Sequence, residues 1–297
     1  MANSIALAEK FLAVTDLVYK NESKTIDLDF ANSEINFIGA NKADVFKLSM
    51  DGLGNYSRDT GYPKGSVTGS WETLTLSKDR GTSLGVDRFD DEEVLHQAFG
   101  KLAAEFERTQ VIPEIDAYTF SKLYSETGNT VVSAAITVGT TVVSDLIDAG
   151  TQVLDENEVP REGRILYVSP KAYAGLKAKI TRYLANEREA VKAVEKYDDM
   201  KVVVVPPARF VSAITLNTGS GSFGYTPTNG GYKINFMIVH PSAVKKAVKH
   251  NMPKIFTPDV NQFSDQYLLD WRLYYDVFVL DNKDKGIYVH RDTTAIS

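Results

Sequence analysis

The stretch SWETLTLSKDRGTSLGVDRFDDEE, residues 70–93, combines two extended runs with a strongly acidic end. Thr and Leu alternate in its first half, Lys-Asp-Arg-Gly at 78–81 breaks the pattern, and a second extended run follows. Alternation of this kind predicts two successive strands. Because polar residues occupy both sets of alternating positions, the strands have too little apolar surface to form a core of their own.

A partner strand for this stretch is predicted upstream, in FKLSM at residues 46–50. The intervening segment, residues 51–69, is rich in glycine and polar residues, which predicts a long hairpin with a flexible distal end. A folded monomer would leave such an arm poorly supported, so we expect it to rest on another surface.

The acids at the end of the stretch directly precede a helical pattern, with apolar residues at Val94, Leu95, Ala98, Phe99, Leu102, Ala103 and Phe106. Acids in a first helical turn favour the positive end of the helix dipole, so we interpret them as a helix start. A metal site is the weaker hypothesis, because consecutive acids in a helical turn point in different directions. Pro113 is expected to interrupt or bend this helix, which then continues through residues 113–126.

Composition excludes several classes of protein. The chain has 297 residues, 43% of them hydrophobic, which is normal for a protein with a real core. The net charge of −6 and the pI near 5.4 argue against a surface that wraps nucleic acid, so any DNA contact must be local. The absence of cysteine excludes disulfides, cysteine-ligated metals and thiol nucleophiles. No run of eighteen uncharged apolar residues predicts a membrane span.

The other predicted elements flank an α/β module. Residues 3–20 have the spacing of an amphipathic helix, and residues 26–30 and 35–39 read as strands. Between about 130 and 252, a helix in 137–157 and strands at 165–169, 201–206 and 234–240 alternate, with Pro170 and Pro241 each predicted to begin a helix. Residues 215–231 read as a long loop, and residues 266–280 and 287–292 as a terminal hairpin.

No catalytic, cofactor or metal site is predicted. GSGSFG at 219–224 lacks the lysine of a phosphate-binding loop, and the turn at 281–286 has Lys283 and Lys285 where calcium needs oxygen ligands. Ser169 and His240 stand at strand ends, where a capping or packing role is expected. An enzyme with its ligand near Ser169, Pro206 and His240 is the weakest alternative.

A basic stretch follows the last strand of the module, at Lys245, Lys246, Lys249 and Lys254. Two interpretations stay open. One is the solvated face of a helix, and the other is a patch that faces acidic neighbours or nucleic acid.

Taken in order, these elements resemble the major capsid protein of tailed bacteriophages, the Hong Kong ninety-seven type fold. Three segments carry the resemblance. Residues 72–93 resemble the return strand of the family's extended loop, which runs into its spine helix, and residues 111–123 resemble the continuation of that helix. Residues 238–292 resemble the end of the axial domain and the family's final strands. The resemblance implies an α+β chain with an N-terminal arm at 1–33, an extended loop at 34–90, a peripheral domain with the spine helix at 91–130, an inserted axial domain at 131–256 and peripheral return strands at 257–297.

The function that the resemblance implies is structural. It predicts a homo-oligomeric subunit whose hexamers and pentamers close an icosahedral head around double-stranded DNA, assembled in the host cytoplasm and retained in the virion. It implies no enzyme activity, no cofactor and no membrane, with separate scaffolding and portal proteins and decoration proteins as a further candidate. A nanocompartment shell of the same fold, enclosing a cargo enzyme, is the alternative.

In this family the extended loop lies across a neighbouring subunit, which makes the charged and aromatic residues of that region candidates for inter-subunit contacts. The candidates are Lys64, Trp71, Lys78, Arg80, Arg88, Asp90, Asp91, Glu92 and Glu93. Some members cross-link a lysine of this loop to an asparagine of the next subunit. Lys64 lies near the expected tip, but no matching asparagine is identified, so a cross-link is not predicted.

Overall fold

The computed structural model describes residues 23–28, 37–38, 42–88, 102, 104–137, 139–184, 194–262 and 264–296. The predicted N-terminal helix at 3–20, and the four acids from Asp90 to Glu93 with the first turns of the helix after them, lie outside these ranges.

The largest sheet among the described residues has six strands in the order β5-β14-β11-β6-β8-β7. Its strands are β5 (Thr130–Ser133), β6 (Ile165–Val168), β7 (Lys196–Tyr197), β8 (Met200–Val204), β11 (Tyr232–Val239) and β14 (Ile287–Ala295). β6 runs parallel to β8 and β14 parallel to β5, while β11 is antiparallel to both of its neighbours. The sheet is therefore mixed.

The other described strands form smaller sheets. β12 (Val244–Phe256), β13 (Gln266–Val279) and β4 (Lys78–Asp87) make a three-stranded antiparallel sheet in that order. β1 (Phe37–Ile38), β2 (Lys42–Met50) and β3 (Val67–Thr75) make a second, in which β2 and β3 are the predicted long hairpin. β9 (Ile214–Leu216) and β10 (Tyr225–Pro227) pair within the segment expected to be a loop.

Three α-helices have described bounds, α1 (Ile112–Ser125), α2 (Val143–Glu156) and α3 (Pro170–Leu184), and residues 104–106 are also α-helical. A π-helical turn, Glu107–Val111, directly precedes α1, and Pro113 lies in the first turn of α1. Proline has no N–H to donate to the preceding turn, so the change of winding occurs where the chain cannot keep regular α-helical hydrogen bonds. The predicted interruption at Pro113 is confirmed in this form.

The core lies on both faces of the six-stranded sheet. Along β6, Ile165 and Tyr167 pack toward Phe120 and Leu123 of α1, whereas Leu166 and Val168 pack toward α2 and α3. Alternate side chains of a strand point to opposite faces, so this division places helices on both sides of the sheet. The α/β character predicted for this part of the chain is confirmed.

The helix predicted after Pro241 is wrong. Pro241–Ala243 is a single 3-10 turn, and the chain then enters β12, which pairs with β13 from Val244↔Val279 to Phe256↔Leu268. The spacing of the apolar residues allowed a helix, but pairing along the whole of β13 satisfies the backbone instead.

The basic stretch therefore lies on a strand, and its interpretation as a helix face is wrong. Lys246 is buried and donates to the Thr25 hydroxyl at 3.3 Å, whereas Lys254 is exposed. Lys245 precedes Lys246 directly and so points to the opposite face of β12. The side chain of Lys249 is outside the described part, and the described lysines do not form one continuous patch.

Three further expectations are corrected. The prediction that residues 266–280 and 287–292 form a terminal hairpin is wrong, because β13 and β14 belong to different sheets. The break expected at 78–81 lies instead at Leu76 and Ser77, and Lys78 begins β4. Residues Ile26–Leu28 form a 3-10 turn rather than a strand.

Candidate subunit-interaction surface

The hairpin β2–β3 carries its large apolar side chains on one face. Its register runs from Lys42↔Thr75 to Met50↔Val67, and cross-strand partners share a face. One face therefore presents Phe46, Leu48, Met50, Val67 and Trp71, which are 53%, 47%, 64%, 68% and 66% exposed. We call these five residues the outer face. Exposed apolar surface of this extent, grouped on one side of a strand pair, marks an interaction site.

Two aromatic side chains organise the outer face. The rings of Phe46 and Trp71 meet edge to face with their centroids 5.1 Å apart. The Phe46 ring lies over Gly69, where an added Cβ atom would stand 2.6 Å from a ring carbon. Glycine at this position leaves room for the ring over the opposite strand, where it meets Trp71, so the two rings form one apolar surface.

The opposite face of the hairpin attaches it to the body at its base. Leu74 is buried there, and the Lys47 ammonium pairs with the Asp281 carboxylate at 2.5 Å. Partial burial, and then the nearby Asp281 carboxylate, raise the pKa of Glu72 above its ordinary value, although Lys47 opposes the shift. The base of the arm thus holds two carboxylates near one ammonium, where they repel each other.

Replacing Glu72 with Gln should stabilise the folded chain slightly at pH 7. A raised pKa means that the folded protein holds this proton more tightly than the unfolded chain, so stability is lost as pH rises through the folded pKa. Because the site is partly exposed, we expect a gain of less than about 1 kcal/mol, disappearing below the ordinary carboxyl pKa. Thermal unfolding between pH 3 and 8 measures it, with Asp44→Asn on the same hairpin as control. A variant equally less stable at every pH would contradict the assignment.

The tip of the hairpin is ordered by its own hydrogen bonds. The Ser57 side chain accepts from the backbone N–H groups of Asp59 and Thr60, and Ser57 and Gly61 bond through their backbones. The Tyr56 and Tyr62 rings lie 5.0 Å apart, and Leu53 beside them is fully exposed. The apolar character of the arm therefore extends to its end.

The structure separates the sequence-predicted contact residues. Trp71 lies on the outer face and Lys64 is exposed near the tip. Lys78 lies over the Tyr118 ring, 5.5 Å from its centroid, and Arg88 stands 3.7 Å from Asp259, so both have contacts within the chain. The contact role of Asp90, Asp91, Glu92 and Glu93 lies outside the described residues.

Arg80 has four hydrogen bonds within its own chain. Its guanidinium pairs with both Glu114 carboxylate oxygens at 2.8 and 3.1 Å and donates to the carbonyls of Asn217 and Gly224 at 2.6 and 3.1 Å. One side chain thus joins β4, α1 and the hairpin β9–β10. For Lys78, Arg80 and Arg88 a contact with a neighbour stays a prediction.

Sequence reasoning missed most of the outer face, namely Phe46, Leu48, Met50 and Val67. The usable signal was the register: pairing FKLSM against VTGSW in a hairpin brings Phe46 opposite Trp71 and Met50 opposite Val67. Each strand alone shows too few apolar residues to form a face.

A cavity of about 670 Å³ lies beside the hairpin base, and Ser169, Pro206 and His240, the residues of the enzyme alternative, do not line it. Its one carboxylate, on Asp276, accepts from the Ser77 N–H and hydroxyl, the Tyr118 hydroxyl and the Val277 N–H, all within 2.8 Å. Burial and the bond to Asp276 raise the pKa of Tyr118, which keeps the phenol protonated. Ser77, Tyr118 and Asp276 of this cavity thus form one hydrogen-bonded group.

The strand-end residues have the expected capping roles. Ser169 Oγ accepts from the Ala172 N–H at 3.3 Å at the start of α3, and His240 Nδ1 accepts from the Ser242 N–H at 3.2 Å.

Within the described ranges, no group of His, Asp and Glu side chains is placed to hold a metal ion. None of the described helices is long and apolar enough to cross a bilayer.

No protein-family model matches the chain, and no curated protein matches its sequence. Solved structures match over almost its whole length. The mature capsid of bacteriophage PhiM1 has a TM-score of 0.67 at 13% identity, covering 97% of this chain and 92% of that one. The capsid of cyanophage P-SCSP1u has a TM-score of 0.67 at 11% identity, and the match covers 97% of this chain and 93% of that one. The head structure of Helicobacter pylori bacteriophage KHP40 has a TM-score of 0.62 at 13% identity, and the match covers 97% of this chain and 95% of that one. The α+β fold predicted from the sequence is confirmed.

Proposed function

We propose that this chain is the major capsid protein of a tailed bacteriophage, which assembles with copies of itself into the icosahedral shell of the head. The observation that carries the proposal is the exposed outer face, on a long arm of a fold whose matched structures include phage capsids and a phage head. A subunit that functioned alone would have no use for this apolar surface.

The occupant that we propose for the outer face is a second copy of the chain. Burying a large apolar side chain contributes roughly 1.5–3 kcal/mol, so Phe46 and Trp71 together supply enough for a specific but reversible contact. In a head-to-tail contact each copy gives its arm to one neighbour and receives an arm from another, and such contacts close rings. Repeated around a shell, modest contacts add to high stability.

The remaining partners belong to the same proposal. Hexamers and pentamers would close the shell around double-stranded DNA, with separate scaffolding and portal proteins and with decoration proteins as a further candidate. The net charge of −6 favours weak, local contact with the packaged DNA over tight binding. We propose a structural, non-enzymatic role, with assembly in the host cytoplasm and retention in the virion.

Electron microscopy and light scattering of the purified chain test this function. We expect closed shells or ring-shaped capsomers when the chain is expressed alone or with the neighbouring phage genes. A strictly monomeric species under both conditions would overturn the proposal. Particles that contain a cargo protein and no DNA, in cells that also express the packaging genes, would instead identify a nanocompartment.

A further inference from the structure

The Asp116 carboxylate of α1 is fully buried and accepts hydrogen bonds from a short N-terminal segment. Ser23 Oγ donates to it at 3.0 Å, the Lys24 and Thr25 N–H groups at 2.9 and 3.3 Å, and Thr25 Oγ1 at 2.7 Å. Arg209 Nη1, also buried, donates at 3.0 Å from the loop after β8. Four of the five hydrogen bonds that Asp116 accepts from described residues thus come from residues 23–25.

The same segment contacts three other parts of the body. Lys246 of β12 donates to Thr25 Oγ1 at 3.3 Å, and Lys201 of β8 binds both oxygens of Asp27 at 2.7 Å. Leu28 is buried in the core cluster that contains Phe120, Phe210 and Val244. Residues 23–28 therefore join α1, the six-stranded sheet and the three-stranded sheet.

The chemistry of the site requires an occupant. A buried carboxylate is costly unless nearly all of its lone pairs accept hydrogen bonds, and Arg209 supplies one of the five observed here. The occupant must offer backbone N–H groups and hydroxyls in one turn, which residues 23–25 do. The site thus recognises a peptide turn, and Arg209 supplies the opposite charge from the body of the chain.

We propose that Asp116, Arg209 and Lys246 form a latch that binds residues 23–28, anchors the N-terminal segment to the body, and opens without unfolding the sheets. The latch rests on side chains of the subunit alone and does not depend on shell formation. When it opens, residues 23–28 leave Asp116, and the two sheets lose the contacts that this segment makes with Lys201 and Lys246.

Trypsin cleavage after Lys24 measures opening of the latch, because the Lys24–Thr25 bond is accessible only when the segment leaves Asp116. Asp116→Asn keeps the shape but removes one charged acceptor, and we expect about tenfold faster cleavage there. Thr25→Val removes a hydroxyl donor and leaves the Asp116–Arg209 pair intact, so it should act in the same direction. Mass spectrometry identifies the fragment that begins at Thr25.

The matched control is Ser77→Ala, which removes a hydroxyl donor to a different buried carboxylate, that of Asp276. We expect this variant to leave cleavage after Lys24 unchanged. Unchanged cleavage in both latch variants would overturn the proposal. So would cleavage within the sheets at the same rate as after Lys24 in Thr25→Val, since the segment would then be released only by global unfolding.

Discussion

Replacing Trp71 with Asp should abolish closed shells and leave a folded subunit. The substitution removes the larger ring of the outer face and puts a charge where we propose that a neighbouring copy packs. Loss of a central aromatic contact costs roughly 2–4 kcal/mol, or at least 30-fold in affinity, and every subunit of the shell loses it. Light scattering and electron microscopy at a fixed protein concentration measure the outcome, and circular dichroism verifies the fold.

Thr68→Asp is the control for this variant. Thr68 is exposed on β3, three residues from Trp71 and on the opposite face of the hairpin, so it adds the same charge to the same arm. We expect its shells to form at nearly the wild-type concentration. Normal shells from Trp71→Asp would show that the outer face is not the contact, and loss of shells in both variants would point to charge on the arm in general.

Replacing Arg80 with Met should lower the free energy of unfolding of the isolated subunit by about 3 kcal/mol. Arg80 and Glu114 are 24% and 12% exposed, so the substitution leaves a largely buried carboxylate without its counter-charge and two carbonyls without their donor. Urea unfolding of assembly-deficient subunits measures this effect. Replacing Glu114 with Leu in the same chain should restore much of the loss, because no unpaired charge then remains.

Arg272→Met is the matched control, since Arg272 forms a two-point pair with Asp79, the residue next to Arg80 on β4. That pair is 66% and 46% exposed, and exposed pairs contribute at most about 1 kcal/mol. Equal losses for Arg80→Met and Arg272→Met would show that burial does not set the value of the Arg80 pair. A normally stable Arg80→Met subunit that fails to assemble would support the predicted contact of Arg80 with a neighbouring subunit.

Much of the architecture could be predicted because its signals are local. The hairpin β2–β3 has extended runs on either side of a glycine-rich segment, and the strands and helices of the α/β module differ in period. The terminal hairpin failed because a short polar turn between two extended runs does not reveal which sheet each run joins. Burial does not separate the two strands either, because β14 has consecutive buried residues at 287–289 and β13 has them at 275–277.

The side-chain networks could not be predicted, because they join residues far apart in sequence. Nothing near Arg80 indicates that Glu114 and two carbonyls of the 217–224 segment lie beside it. The outer face was not predicted for a similar reason. It forms only when two strands that each have few apolar residues pair in the correct register. Tertiary pairing also overrode the helical spacing after Pro241.

The position of β14 affects the order in which the chain can fold during synthesis. β14 lies between β5 and β11, so the strand of this sheet that is synthesised after all its other described strands is an interior one. β5 has no described strand beside it until residues 287–295 are synthesised, and domains form as their sequence becomes available. A chain that stops before residue 287 therefore lacks an intact sheet, and completion of the sheet is tied to the synthesis of β14.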